Sequence, residues 1–307
     1  VSKNEMEAAP EACNENNNVP ESHRNTKAYA NNRKSGKEQY YTESSVADLC
    51  VQEVMKHVPM NRMFLEPAGG TGEFIEALIR QGVEPSKILS YDIEPKHSLV
   101  KEQDFLEMDK EHIPEGTICV TNPPFGRMSQ LSKKFFNACA DKCDYICFLV
   151  PRSWRKWSVI NSLDVRFHLV SDIDLPSNCF RLADGSKNEG STLRTAFQIW
   201  KKSSVQRKKI NVKDHGLVKK VKHVDKIVTG ADCEFILFGF SCGKVKRLTG
   251  PAKHKTTSAY FKAEPEVIDA LEKIDFSCFY NNVAHVQALS MKEVNYKLNE
   301  FFGLPQE

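Results

Sequence analysis

The chain has 307 residues, of which 40% are hydrophobic and 27% charged, with a formal net charge of +3 at pH 7. That length holds one large domain or two modest ones, and that composition excludes a chain disordered throughout, a collagen-like repeat and a coiled coil. No run approaches the roughly 18 consecutive apolar residues of a membrane span, and the ten cysteines include no Cys-x-x-Cys pair, which argues for reduced thiols rather than a zinc ribbon or disulfide scaffold.

From Val1 to His23, five Glu stand against one Lys, among Asn and two Pro. Such a stretch cannot bury a core, so residues 1–36 are expected to be a disordered tail. It lacks the apolar stretch of a secretory signal, and a start at Val1 rather than Met suggests a trimmed chain; the expected location is intracellular, cytoplasmic or nuclear. After Glu38 to Thr42 comes a predicted helix with Val46, Leu49, Cys50 and Val54 on its apolar face. Met63 to Glu66 ends a strand, Glu73 to Arg80 is a helix burying Phe74, Ala77 and Leu78, and Ile88 to Ile93 is the next strand. Thr117 to Thr121, Tyr145 to Val150, His168 to Asp174 and Arg194 to Trp200 are further strands, separated mostly by gaps that can hold a helix. This alternation predicts a doubly wound, mostly parallel Rossmann-like α/β sheet over residues 37–202, with ligands at the carboxyl ends of its strands.

Between Lys201 and Lys222 nine Lys or Arg stand against the single acid Asp214. Residues 203–222 therefore read either as a basic linker facing a polyanion or as a merely soluble loop. Beyond it, a strand from Glu234 to Phe240 and a capping-box helix from Ser290 and Glu293 towards Phe302 suggest a small α+β extension over residues 223–307.

Three strand ends carry the chemistry. Glu66-Pro67-Ala68-Gly69-Gly70-Thr71-Gly72 lies where a strand hands over to a helix, and its glycines let backbone N–H groups approach a ligand. Ile75 stands where a dinucleotide fingerprint needs its third glycine, and the Glu66 carboxylate suits a ligand with positive charge, such as an ammonium or a sulfonium. Asp92, followed by Ile93, ends the next strand in the position that grips ribose hydroxyls; Asp104 and Phe105 could hold an adenine amino group and wall its ring. A nucleoside held without a phosphate cradle is what S-adenosylmethionine requires. Thr121-Asn122-Pro123-Pro124-Phe125-Gly126 follows the fourth strand. Its prolines hold the backbone rigid, the Asn122 amide oxygen and the Pro123 carbonyl can accept hydrogen bonds from one planar amine, and Phe125 can stack on the ring bearing it.

With these motifs the chain resembles the class I S-adenosylmethionine-dependent amino-methyltransferases, in particular the adenine-N6 branch with Asn-Pro-Pro-Phe, over roughly Lys37 to Lys202. The motif order is similar to the gamma arrangement of DNA adenine methyltransferases. The resemblance implies a seven-stranded methyltransferase sheet, S-adenosylmethionine as cofactor, and Tyr41 and Thr42 as cofactor contacts. Ala68 departs from the glycine that many relatives carry, a small-for-small change. The resemblance also implies an aromatic after the sixth strand covering the other face of the acceptor base, and Phe180 is the candidate. Arg152, Trp154, Arg155 and Lys156 interleave bases with tryptophan, a mixture suited to phosphate contacts and base stacking. The loop from Arg181 to Gly190 reads as a mobile cover or an ordinary connection.

The expected activity is methyl transfer to adenine N6 in nucleic acid, DNA modestly favoured, with Lys244, Lys246, Arg247, Lys253 and Lys255 helping to hold the backbone. RNA adenine, cytosine N4, a protein glutamine amide and an inactive binding protein with the same fold are the alternatives. No metal site is expected: Cys139, Cys143 and Cys147 are spaced by four but read as core thiols.

Overall fold

The computed structural model describes residues 40–177, 179–182, 185–187 and 192–307. The tail expected over residues 1–36 and part of the loop from Arg181 to Gly190 lie outside the described residues. In chain order the elements begin with β1 (Tyr41–Thr42), α1 (Ser44–Met55), β2 (Phe64–Glu66), α2 (Glu73–Arg80), β3 (Ile88–Asp92), β4 (Lys101–Glu102), β5 (Thr117–Thr121) and α3 (Gln130–Cys139). They continue with β6 (Cys143–Pro151), α4 (Trp157–Ile160), β7 (Phe167–Asp174), β8 (Phe180–Arg181) and β9 (Thr195–Lys202).

Seven of these strands form one sheet in the order β4-β3-β2-β5-β6-β9-β7. The chain starts at the centre with β2, moves outward through β3 and β4, then returns to β5 on the other side of β2. All neighbours from β4 to β6 are parallel, and β9 runs antiparallel between β6 and β7. The order therefore reverses between β2 and β5, and a crevice at such a reversal opens outside the carboxyl ends of the strands. β5 is buried throughout, as a strand covered on both faces must be, and its centre, Ile118 to Val120, is apolar. Packing on one face comes from α1 and α2 and on the other from α3, with Phe136 and Trp154 at its centre.

The observed face of α1 is rotated from the predicted one: Ala47 and Val51 are buried with Val46, Cys50 and Val54, while Leu49 is 38% exposed. Residues predicted for α2 bury as expected, joined by Ile75.

After β9 come β10 (Lys219–Lys220), β11 (Ile227–Val228), β12 (Cys233–Ile236), β13 (Val245–Arg247), β14 (Ala252–Lys253), β15 (Ser258–Lys262), α5 (Pro265–Lys273), α6 (Ser277–Tyr280) and α7 (Met291–Phe301). Strands β10, β15, β12 and β13 make an antiparallel sheet that packs with α5 and α7 around Phe235 and Phe261. The strand predicted to reach Phe240 stops at Ile236, because Gly239 takes φ +93° and the chain turns; Phe240 is 91% exposed. Helix α7 starts with the predicted capping box, Ser290 and Glu293 satisfying each other's backbone N–H. No helix among the described residues is long and apolar enough to cross a membrane.

Candidate active site

Three strand ends meet at the reversal point. From β2, Glu66 is wholly buried, and its Oε1 accepts from Thr121 Oγ1 at the end of β5 and from Ala68 N at 3.2 Å. Burial pushes this carboxyl up to about 8, against the two hydrogen bonds, so at neutral pH it is mostly protonated. In the structure the Glu66 carboxyl is engaged as a tie between β2 and β5.

The turn after Pro67 and Ala68 is held from the next strand. Gly69 N donates to Tyr91 O at 2.9 Å, and Gly70 N donates to Asp92 Oδ2 at 2.9 Å. Gly70 has φ +45°, which favours glycine, and it lies between the Tyr41 ring and the Asp92 carboxylate, which a Cβ there would meet at 3.5 and 3.9 Å. Gly72, at φ +83°, precedes α2 and lies under His97, whose Nε2 is 2.9 Å from Glu76. Asp92 Oδ1 also accepts from Glu94 N at 2.8 Å; each carboxylate oxygen keeps acceptor capacity for a hydroxyl. Ile93, beside it, is 53% exposed. Lys96 Nζ stands 4.6 Å from the Tyr41 ring centroid, so that face already stabilises a cation.

Asn122 sits at the end of β5 with Pro123, Pro124 and Phe125 behind it. Its Nδ2 donates to Tyr40 O at 2.9 Å and Thr42 Oγ1 at 3.2 Å, while its Oδ1 is buried without a partner. A buried acceptor left empty costs about 1–3 kcal/mol; Glu43 Oε1, Ser90 Oγ, Trp154 Nε1, Arg194 Nε and Arg207 Nη1 share that state, and what sets Asn122 Oδ1 apart is its place at the strand-order reversal. Phe125 and Phe180 are both buried and meet edge to face at 6.2 Å. Strands β1 and β8 pair antiparallel, Thr42 opposite Phe180, and Arg181 Nε bonds Glu43 Oε2 at 2.8 Å. This ribbon carries Tyr41, Thr42 and Phe180 to the crevice together.

Other predicted residues lie elsewhere. Phe105 is core, packed between Tyr91 and Phe135 at 6.4 and 5.8 Å, so it offers no wall to a ligand; Asp104 is exposed, and its Oδ1 closes a turn on Leu106 N at 2.8 Å. Trp154 is wholly buried against Phe136 and Phe148 and cannot stack on a base. Arg155 is paired with Asp172 at 2.5 Å and Asp174 at 2.7 Å, Arg152 with Asp174 at 3.2 Å, and Lys156 with Glu293 of α7 at 2.6 Å. These charges bind the protein to itself. Likewise Arg247 pairs with Asp269 and Glu272, and Lys255 with Glu234, whereas Lys244, Lys246 and Lys253 are exposed. Within the basic block, Arg207 donates to carbonyls of Leu163 and Phe167, but Lys208, Lys209, Lys219, Lys220 and Lys222 are exposed. Cys139, Cys143 and Cys147 are buried thiols, and among the described residues no group of three or more His, Cys, Asp or Glu could hold a metal.

Sequence reasoning missed Tyr40, Glu43 and the tie through Thr121. The doublet Tyr40-Tyr41 was the available signal, since strand alternation sends its two rings to opposite sides.

The strand order with its one antiparallel member between β6 and β7 is that of the class I methyltransferase fold. No protein-family model matches the chain, and no curated protein matches it. Among solved structures, the chain is similar to a Listeria monocytogenes protein described as a class I S-adenosylmethionine-dependent methyltransferase, at 16% identity and a TM-score of 0.38, over 55% of this chain and 62% of that one, less than two thirds of its length. A Pyrococcus horikoshii protein described as an RNA methyltransferase aligns at 15% identity and a TM-score of 0.42, over 56% of this chain and 91% of that one. A modification subunit described as belonging to a type I restriction enzyme of Vibrio vulnificus aligns at 16% and 0.39, over 59% and 49%. The fold is defined by this chain's own strand order, not by these likenesses.

Proposed function

We propose that the chain is an S-adenosylmethionine-dependent methyltransferase acting on the exocyclic N6 amine of adenine in nucleic acid, DNA modestly favoured over RNA. The observation that carries this reading is Asn122 Oδ1: a buried acceptor without a partner, rigidly presented by two prolines at the strand-order reversal, beside Phe125. The cofactor site fits the residues present, because Gly70 places no side chain between Tyr41 and Asp92, and Asp92 has acceptor capacity. Tyr41, Gly69, Gly70, Asp92 and Ile93 would hold S-adenosylmethionine, which supplies a methyl group on a cationic sulfur.

This chain's residues do the rest by positioning. Asn122 Oδ1 and the Pro123 carbonyl accept the two N–H groups of an aromatic amine, which aims the nitrogen lone pair outward. Phe125 stacks on the ring. Positive charge developing on the nitrogen faces preorganised acceptors, and the proton it sheds needs no strong base and can go to water. Residues 37–202 would carry catalysis, 203–222 would link, and 223–307 would help seat the polyanion through Lys244, Lys246 and Lys253, with a duplex target base extruded.

Transfer of labelled methyl to matched single- and double-stranded DNA and RNA, digested to nucleosides, tests the reading. N6-methyldeoxyadenosine is the expected product; N6-methyladenosine moves the substrate to RNA. Absence of any methylated nucleoside, with cofactor bound, removes the nucleic-acid reading.

A further inference from the structure

Tyr40 lies immediately before β1 and does two things at the acceptor side of the site. Its ring stands 5.9 Å from Phe125 at an interplanar angle of 26° and 5.4 Å from Phe180 at 52°. A flat acceptor can stack on Phe125 only at a centroid distance of roughly 4.5–7 Å, which is the space the phenol ring fills. The backbone of the same residue acts differently. Its carbonyl, which can only accept, takes the hydrogen bond from Asn122 Nδ2 at 2.9 Å and so fixes which end of the amide carries the empty acceptor.

We infer that Tyr40 sets acceptor specificity: its ring covers the Phe125 face on which an acceptor would stack, in a three-ring cluster with Phe180, and only a flat, stacking acceptor displaces it, while its carbonyl keeps the Asn122 amide in the receiving orientation. The inference rests on the reading of Asn122 as the amine acceptor. A purine amine brings a π-face that replaces the ring contacts Phe125 and Phe180 lose with Tyr40. A glutamine side chain brings a planar amine without a ring, and leaves those contacts unreplaced. The three-ring cluster therefore selects a nucleobase over a protein side-chain amide. Side-chain substitution separates the two roles, because the carbonyl survives it.

The test compares wild type, Tyr40→Ala and Tyr40→Phe in methyl transfer to an adenine-containing oligonucleotide, with a glutamine-containing peptide as the rival acceptor. Tyr40→Ala is expected to lower KM for the oligonucleotide by about three- to tenfold, the worth of one aromatic pair, with kcat changed by no more than about twofold. Tyr40→Phe, which keeps the ring, should not show the lowered KM of Tyr40→Ala. A KM that rises or does not move in Tyr40→Ala overturns the role of Tyr40, as does wild-type turnover of the peptide at the oligonucleotide's rate. Should the alanine variant fold poorly, nitration of wild-type Tyr40, read by peptide mass, decides: saturating oligonucleotide should speed it, and slowing overturns the inference. No transfer from wild type to any adenine-containing strand overturns the underlying reading itself, whereas transfer with an unmoved KM overturns Tyr40 alone.

Discussion

Two short segments looked equally functional in sequence, and the structure treats them oppositely. The loop from Thr121 to Gly126 holds a buried polar atom with no partner, while from Arg152 to Lys156 the basic groups are paired within the protein. Arg155 spans Asp172 and Asp174 of β7, Lys156 reaches Glu293 of α7, and Trp157 packs against Phe279 and Tyr296 at 5.6 and 5.2 Å. The first segment keeps its chemistry available; the second fastens the seven-stranded sheet to the helices behind it. Trp154 Nε1 in the second segment is also buried without a partner, so an empty polar atom points to function only where, as at Asn122, it stands at the strand-order reversal.

The largest effect that tests this contrast belongs to Asn122. Asn122→Ala should lower kcat by about a thousandfold, the order expected for a preorganised polar group facing developing charge, with little change in cofactor affinity by calorimetry. Equal loss of both would place Asn122 in the cofactor site and break the contrast.

Glu66 sharpens it through pH. Its carboxyl lies near 8 in the folded protein against an ordinary 4.5, raised chiefly by burial, so its contribution to stability is full below about pH 4.5 and is lost as pH rises through about 8. Denaturation at pH 5 and pH 8.5 should show a loss of roughly 3–4 kcal/mol in wild type that Glu66→Gln largely removes. A pH-independent wild type would mean the group is already ionised.

Lys156→Ala should destabilise the protein by about 3 kcal/mol, because it leaves the buried Glu293 carboxylate without its counter-charge, and Lys156→Met with Glu293→Gln, which keeps the cap on Ser290 without the charge, should recover most of it. Unchanged stability with weakened oligonucleotide binding would return this segment to the substrate. The smallest expected effect is that of Arg155→Ala on oligonucleotide affinity, about twofold at most, since its guanidinium is committed to two aspartates.

Much of the frame was legible beforehand. The strands around β2, β3 and β5 and helix α2 stand where periodicity placed them, since a parallel strand covered on both faces is mostly apolar. Residues at strand ends, Glu66, Asp92 and Asn122, converge as the doubly wound order requires. Burial of Trp154 and Phe105 was not legible, because an aromatic beside basic residues reads the same whether it faces solvent or the core. Nor was the exposure of Leu49, which depends on which side of α1 the sheet covers.

By itself, then, the sequence determined the alternation of strands and helices, the capping of α7 and the types of group placed at each strand end, because periodicity, capping and turn chemistry are local. Only the tertiary structure decided which charges are consumed in internal pairs, that Glu66 is buried and tied to Thr121, and that Tyr40 stands beside Asn122. Those depend on distances between residues 82 positions apart for Tyr40 and Asn122 and 137 for Lys156 and Glu293, which no local pattern encodes.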